Sequence, residues 1–272
     1  MYKSKFKNLK INSVSKEFPG VKALDSVSMN ISAGKVHALM GENGAGKSTL
    51  IKILAGAYSK DGGKIFFDEN EIILNSPYDS LNLGIKVVYQ EISLITGFTV
   101  GENIFLENYP INKFGIVNWK KLYDETEKLF KKIGFDINPK TKISDLSISQ
   151  QQMVEIARAV YQNASIVIMD EPTSSLTPNE IKKLFDVIEN LKNDNIAILY
   201  VTHKIDEIFK IADEVTVLRD GKHISNRLIS DTSEEILITD MVGRKVEAAF
   251  ERPKSIDKNI VMRVKNISTK NK

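Results

Sequence analysis

The chain has 272 residues, 42% of them hydrophobic and 27% charged, which is ordinary globular material and enough for one large domain or two small ones. Its formal charge of +3 is a mild lysine excess, far from the concentrated basic stripe of a nucleic-acid binder, so no nucleic-acid partner is expected. Cysteine is absent, which excludes a disulfide framework, a thiolate nucleophile and a thiolate metal site. No window approaches the roughly 18 apolar residues that span a bilayer, so any service to a membrane would go through a partner.

The opening "MYKSKFKNLK" lacks the apolar core of a signal peptide. Along the chain, short apolar runs rich in β-branched residues recur: "KVHALM" (35–40), "IKVVYQ" (85–90), "SIVIMDE" (165–171), "IAILYVTH" (196–203) and "EVTVLRDG" (214–221). Runs of that length read as buried strands. Helical patterns separate several of them, and the alternation predicts an α/β domain with a largely parallel sheet. "GGKIFFDENEI" and "TVLRDGKHIS" read as hairpins, turning at Asp-Glu-Asn and Asp-Gly, so an antiparallel portion is expected beside the parallel core. Between about 100 and 164 the alternation stops. There "NWKKLYDETEKLFKKIGF" places Trp119, Leu122, Tyr123, Leu129, Phe130 and Ile133 on one helical face, and "QQQMVEIARAVYQ" supplies a second helix. After Gly243, "RKVEAAFERPKSIDKN" is polar and aperiodic and reads as a linker. The final "VMRVKNISTK" is similar to the opening "NLKINSVSKEF" when residues 11–16 are laid over 264–269, as if a second copy were beginning.

The stretch "GENGAGKST" (41–49) fits G-x-x-x-x-G-K-[ST] through Gly41, Gly46, Lys47 and Ser48, after a strand and before the helical pattern "TLIKILAGA". Glycines let a loop take positive φ and bring bare N–H groups against phosphate oxygens, while the following helix directs about half a positive charge at them. The nucleotide contacts are therefore expected from Gly41, Glu42, Asn43, Gly44, Ala45, Gly46, Lys47, Ser48 and Thr49. Lys47 would reach the β- and γ-phosphates and Ser48 would hold Mg²⁺. "IVIMDEP" is an apolar strand ending in two carboxylates, Asp170 placed to hold the Mg²⁺ shell and Glu171 to orient or deprotonate an attacking water. His203 closes the next apolar strand in "ILYVTHK", as a structural residue or as a donor to the γ-phosphate.

With "VVYQE" (Gln90), "LSISQQQMVEIARAV", "SSLT" (174–177) and "VTHK", these motifs resemble the ATP-binding cassette (ABC) ATPases in order and spacing over about residues 7–244. The resemblance implies an α/β P-loop NTPase (RecA-like) core with an antiparallel β subdomain and a helical insertion subdomain at about 95–164. The nucleotide-binding domain would cover 1–245, leaving 246–272 for a linker and the first strand of a truncated second cassette. ATP and Mg²⁺ are the implied cofactors. Gln90 resembles the glutamine that senses Mg²⁺ and the permease, Glu171 the catalytic base and His203 the switch histidine. Phe18 sits where the family places an aromatic ring against adenine, and a core phenylalanine reads nearly as well there. His37 and His223 match nothing and read as structural or solvated.

Ser147, followed by Ile148, Ser149 and Gln150, opens a predicted helix whose hydroxyl and N–H groups suit an anion. In the family this signature closes on ATP held by another cassette, which implies a second cassette, in cis or as a homodimer. The second glycine of the usual LSGGQ pattern is Ser149 here, adding a side chain where backbone would approach phosphate. "MDEPTSSLT", "VTVLRDGKHIS" and "MVGR" (241–244) resemble the sugar-import branch, in which two cassettes are fused. Within it the serine of "LSISQ" is most similar to the galactose/methyl-galactoside importers, with ribose and other monosaccharide importers next and nucleoside importers still open. The implied setting is peripheral, on the cytoplasmic face of the inner membrane. There transmembrane permease subunits would be fed by a periplasmic or surface-tethered sugar-binding protein. Leu94, Ile95 and Phe98, near Gln90, are expected to be exposed as part of the permease groove. A GTPase would need N-K-x-D, whereas Asn112 and Lys113 are followed by Phe114 and Gly115. Chromosome-maintenance ATPases would place a long coiled coil where only about 100 residues without sustained heptads intervene. A ribosome-associated tandem cassette shares every nucleotide motif but leaves "MVGR" unexplained.

Overall fold

A computed structural model describes residues 6–243; the linker and repeated strand expected over 246–272 lie outside the described residues. Strands β1 (Asn8–Phe18) and β2 (Val21–Ser32) form a long antiparallel hairpin, turning where Gly20 takes φ 81°. The apolar run after it is β3 (Val36–Met40), buried along its whole length, and it leads into α1 (Lys47–Leu54). A second hairpin, β4 (Gly62–Phe67) with β5 (Asn70–Ile72), turns at Asp68, whose φ is 56°. Next come α2 (Pro77–Asn82), β6 (Ile85–Val88), α3 (Val100–Ile104) and α4 (Trp119–Ile133). They are followed by α5 (Ile148–Tyr161), β7 (Ile166–Asp170), α6 (Pro178–Asn193) and β8 (Ala197–Val201). Finally α7 (Ile205–Ile211), β9 (Glu214–Arg219), β10 (Lys222–Leu228) and α8 (Glu234–Val242) complete the described chain.

The ten strands lie in the order β5-β4-β1-β2-β10-β9-β3-β8-β7-β6. Strands β9, β3, β8, β7 and β6 pair in parallel. Their largely apolar and mostly buried sequences fit a sheet covered on both faces, whereas β2 alternates, burying Leu24, Val27, Met29 and Ile31. The halves meet at β10, antiparallel to β9 and joined to β2 through the single pair Lys222 and Asp25. The "RDGK" hairpin is as the sequence predicts: Asp220 and Gly221 take φ 51° and 74°, the positive pair that a two-residue turn of type I′ requires.

One core lies between the helical insertion and the parallel strands, around Phe105, Phe130, Val154, Ile156, Met169 and Tyr200. Another lies where α1 packs on β1 and β2 through Leu50, Ile51, Leu9 and Leu24. Helix α4 departs from the predicted face in one respect. Trp119 at its first residue is 45% exposed, stacked on Tyr123 with centroids 6.2 Å apart. Thr126 takes an inner position instead, donating its hydroxyl to the Leu122 carbonyl at 2.9 Å.

His37 lies inside the sheet, its Nε2 2.8 Å from Thr216 Oγ1. Burial depresses its pKa from 6.5 to about 4, although Glu214 opposes the shift. Below pH 6.5 the unfolded chain therefore binds a proton that the folded one refuses, and stability falls as the pH drops towards 4. The loss between pH 7.5 and pH 5 is expected to be about 2 kcal/mol. Urea titrations at the two pH values check this: His37→Gln should flatten that part of the slope, and an unaltered slope would remove His37 as its source.

Candidate functional site

Strand β3 ends in the middle of the parallel sheet, and the chain turns through residues 41–46 into α1. The ends of this loop are glycine because the sheet leaves no room. A Cβ on Gly41 would lie 2.4 Å from the Leu218 carbonyl oxygen, and one on Gly46 2.6 Å from that of Ala23. Gly44, at φ 84°, would meet nothing within 4 Å, so there the constraint is the hand of the backbone alone. Lys47 follows at once. Its Nζ donates to the carbonyls of Gly41 at 2.7 Å and Glu42 at 3.0 Å, and the side chain is only 7% exposed. Burial lowers its pKa against the pull of Glu171 and Asp170.

The carboxylates arrive on the neighbouring part of the sheet. Asp170 ends β7, its pKa raised first by burial and then by the charge of Glu171, with Lys47 and Lys52 opposing. Glu171 has φ 46°, a conformation few non-glycine residues adopt, and its N–H is tied to the Val201 carbonyl at 2.9 Å. The side chain turns to His203, Oε1 to Nδ1 2.9 Å. A buried network supports both loops. Thr173 Oγ1 and Tyr200 OH donate to the two oxygens of Glu207 at 2.6 and 2.7 Å, and Lys204 Nζ reaches Glu207 at 3.2 Å and the Thr173 carbonyl at 3.2 Å. Every charge in it is paired, which is what keeps a buried carboxylate tolerable. The loop bearing Glu171 and the loop bearing His203 are thereby fixed to one another.

These pieces surround a cavity of about 670 Å³ lined by Asn43 through Thr49, Gln90, Asp170 and Glu171. Gly41 and Glu42 are not in its lining and act on it through Lys47; His203 acts through Glu171. Phe18 is also outside the lining, edge-on to Tyr58 at 5.4 Å, with Lys16 Nζ 5.4 Å from its ring centre. The lining contains four residues that sequence reasoning missed, Val21, Lys22, Ala23 and Asp220. They lie in or beside the turns of two hairpins that the bond from Asp25 N–H to the Gly221 carbonyl, 2.8 Å, brings together. The signal was present in the Pro-Gly and Asp-Gly turns, but not their adjacency.

Ser147, Ser149 and Gln150 line a different groove, of about 400 Å³, with Phe135, Met153 and Glu180. Ser147 is the N-cap of α5, accepting from Gln150 N–H at 3.3 Å, and Gln150 Oε1 accepts in return from Ser147 N–H at 3.0 Å. The side chain of Ser149 is turned inward. It is 7% exposed and its hydroxyl is bonded to Glu180. Leu94 is likewise not exposed, at 9%, while Ile95 and Phe98 are, at 40% and 37%. The buried Asn103 amide clamps the Ile95 backbone, receiving its N–H at 2.8 Å and donating to its carbonyl at 3.1 Å, and Leu94 packs into the core.

Comparison with known proteins agrees with this geometry. The ABC transporter family profile matches residues 24–174. A galactose/methyl galactoside import ATP-binding protein of Clostridium perfringens is 46% identical over 260 residues, 96% of this chain and 50% of that protein. A putative ribose/galactose/methyl galactoside import ATP-binding protein of Geobacillus kaustophilus is 46% identical over 97% of this chain and 53% of its own length. The chain thus spans about half the length of the curated relatives it matches. Among solved structures, the ADP conformation of MJ1267, an ATP-binding cassette of an ABC transporter, superposes with a TM-score of 0.76 at 25% identity, covering 88% of this chain and all of that one. A nucleotide-free cassette from an ABC transporter gives 0.73 at 26% identity, over 89% and 98%. The phosphate-loop geometry, the acidic strand end and the family match over more than half the sequence agree: this chain belongs to the ABC transporter family, as one of its ATP-binding cassettes.

Proposed function

We propose that this cassette binds and hydrolyses ATP to energise import of a monosaccharide through a membrane permease, with galactose or methyl galactoside foremost and ribose next. The observation that carries the reading is the convergence of loop amides, Lys47, Gln90 and the Asp170–Glu171 pair on one cavity. An ammonium has three protons. Two of those on Lys47 go to the loop carbonyls, leaving one for a phosphate oxygen.

The donors available to Mg²⁺ are the Ser48 hydroxyl, the Gln90 amide oxygen and the Asp170 carboxylate, all hard oxygen ligands of the kind this ion takes. Among the described residues no group of three or more His, Cys, Asp or Glu is placed to hold a metal ion. The donor set thus fits an ion that arrives with the triphosphate and takes its remaining ligands there. When bound, Mg²⁺ would neutralise phosphate charge. Glu171 would accept the proton of the attacking water, and His203, which steadies that carboxylate through Nδ1, would be the donor to the γ-phosphate. Phe18 would lie against adenine, on the hairpin that carries Val21 and Ala23.

Within one lobe the signature lies in a different groove from the phosphate loop, which favours closure on a second cassette, in cis or as a homodimer. The sugar assignment is supported by the names of the relatives. It implies permease subunits and, indirectly, a periplasmic or surface sugar-binding protein, with the cassette peripheral on the cytoplasmic face of the membrane. No helix of the described residues is long and apolar enough to cross one. Residues 246–272 would link to a second cassette.

The test is ATP-dependent uptake into vesicles holding the full tandem protein and its permease, with galactose, methyl galactoside, ribose and a nucleoside offered in parallel. Sugar uptake is expected, and Ile95→Asp with Phe98→Asp should abolish both uptake and co-purification with the permease while ATP binding persists. Uptake of the nucleoside alone would move the chain to the nucleoside branch. Unchanged co-purification would remove Ile95 and Phe98 from the docking groove.

A further inference from the structure

Ser149 stands where the usual signature has glycine, and the hydrogen-bond arithmetic around it is complete. Its hydroxyl has one proton, which goes to the Glu180 carboxylate. In the contact of 2.9 Å between the hydroxyls of Ser147 and Ser149, the donor is therefore Ser147, whose oxygen accepts from Gln150 N–H. The second oxygen of Glu180 is committed elsewhere, accepting from Thr177 N–H and Thr177 Oγ1, both at 2.8 Å. These donors, Ser149 first, hold the Glu180 carboxyl below the usual carboxylate range, so at neutral pH it is an acceptor only.

One carboxylate thus has an oxygen on each of two segments. The first is the opening turn of α5, which presents the signature. The second is Thr177, the N-cap of α6, six residues after Glu171 on the segment leaving the strand end. A glycine at 149 would have no atom to give to this link. We propose that Glu180 is a positioning residue that, through Ser149, ties the signature turn to the segment following Glu171. The surface offered to a second cassette's nucleotide is then fixed relative to the cassette's own water-activating carboxylate. Ser149 replaces the close backbone approach of glycine with a tether. The inference rests on the two-lobe reading above.

The test uses this chain carrying Glu171→Gln, with saturating MgATP, and adds Ser149→Ala, Glu180→Ala, the pair together, or Glu180→Gln. Three quantities are read: ATP affinity, nucleotide-driven self-association by sedimentation, and hydrogen exchange of the amides of residues 147–151. Ser149→Ala leaves the Thr177 cap untouched, so it separates the tether from the stability of α6. Each single alanine is expected to speed exchange at 147–151 and to weaken association about tenfold, and the double variant to be no worse than either single, as for two residues acting through one bond. ATP affinity of the single lobe, read at protein concentrations too low for association, should not change, because neither residue lines the phosphate-loop cavity. Glu180→Gln, still an acceptor and still suited to the capping box, should stay near the parent in all three readouts. Additive losses in the double variant, or unaltered exchange in Ser149→Ala, would overturn the proposal. A parent chain that binds MgATP but stays monomeric would exclude the homodimer and leave closure on a cassette in cis, while the exchange data decide the tether by themselves.

Discussion

Glu171→Gln is expected to slow ATP hydrolysis by about 10² to 10⁴-fold, the usual worth of a positioned general base, while ATP remains bound. The substitution is close to isosteric. A glutamine Oε1 can still accept from His203 Nδ1, 2.9 Å from the present carboxylate oxygen, and the backbone tie to Val201 is untouched. What disappears is the capacity to take a proton. The like charge beside Asp170 also goes, and Glu171 is one of the causes that push the Asp170 carboxyl up. Binding of a polyanion should therefore hold or tighten. Phosphate release under single-turnover conditions and a titration with a fluorescent ATP analogue measure the two effects separately. Near-native turnover would remove Glu171 from the role of base, and a parallel collapse of binding would mean that the substitution had damaged the loop rather than the chemistry.

What the sequence disclosed of this site followed a physical division. The phosphate loop, the acidic strand end and the strands of the parallel core are local: each is a run of adjacent residues whose type is dictated by a backbone conformation or by burial on both faces. Strand β2 was harder to see because its apolar residues alternate with Ser26, Ser28 and Asn30, so no continuous run marks it. The Val21, Lys22, Ala23 and Asp220 wall was not legible, since it depends on two hairpin turns nearly 200 residues apart meeting side by side. Leu94 departs from its expected exposure for a related reason. An apolar residue in a loop reads as exposed until the partner that turns it inward, here Asn103, is known. Ser149 shows the same limit at atomic scale. Pattern marks it as an intrusion, while its contact with Glu180, 31 residues away in sequence, makes it part of the packing.

Alanine at Gly46 and at Gly44 should separate two reasons for a glycine within one loop. Both residues have positive φ, 102° and 84°, so each substitution carries a backbone penalty of about 1 to 2 kcal/mol. Only at Gly46 does the new methyl also strike something: the Ala23 carbonyl at 2.6 Å and Leu24 Cδ2 at 2.8 Å. Ala23 cannot yield easily, because β2 is held by β1 on one side and by the bond from Asp25 to Gly221 on the other. Overpacking against such a wall adds about 1 to 3 kcal/mol. Gly46→Ala should therefore cost about 2 to 5 kcal/mol and lower Tm by about 5 to 15 °C in a domain of this size, whereas Gly44→Ala should lower it by about 2 to 6 °C. Both variants should lose ATP affinity, since either methyl disturbs the amides that line the cavity, so affinity alone cannot tell them apart; thermal unfolding without nucleotide can. Equal Tm losses would mean that the Ala23 strand does not confine the loop. The register of α1 against β2, which sets where Lys47 points, would then need another explanation.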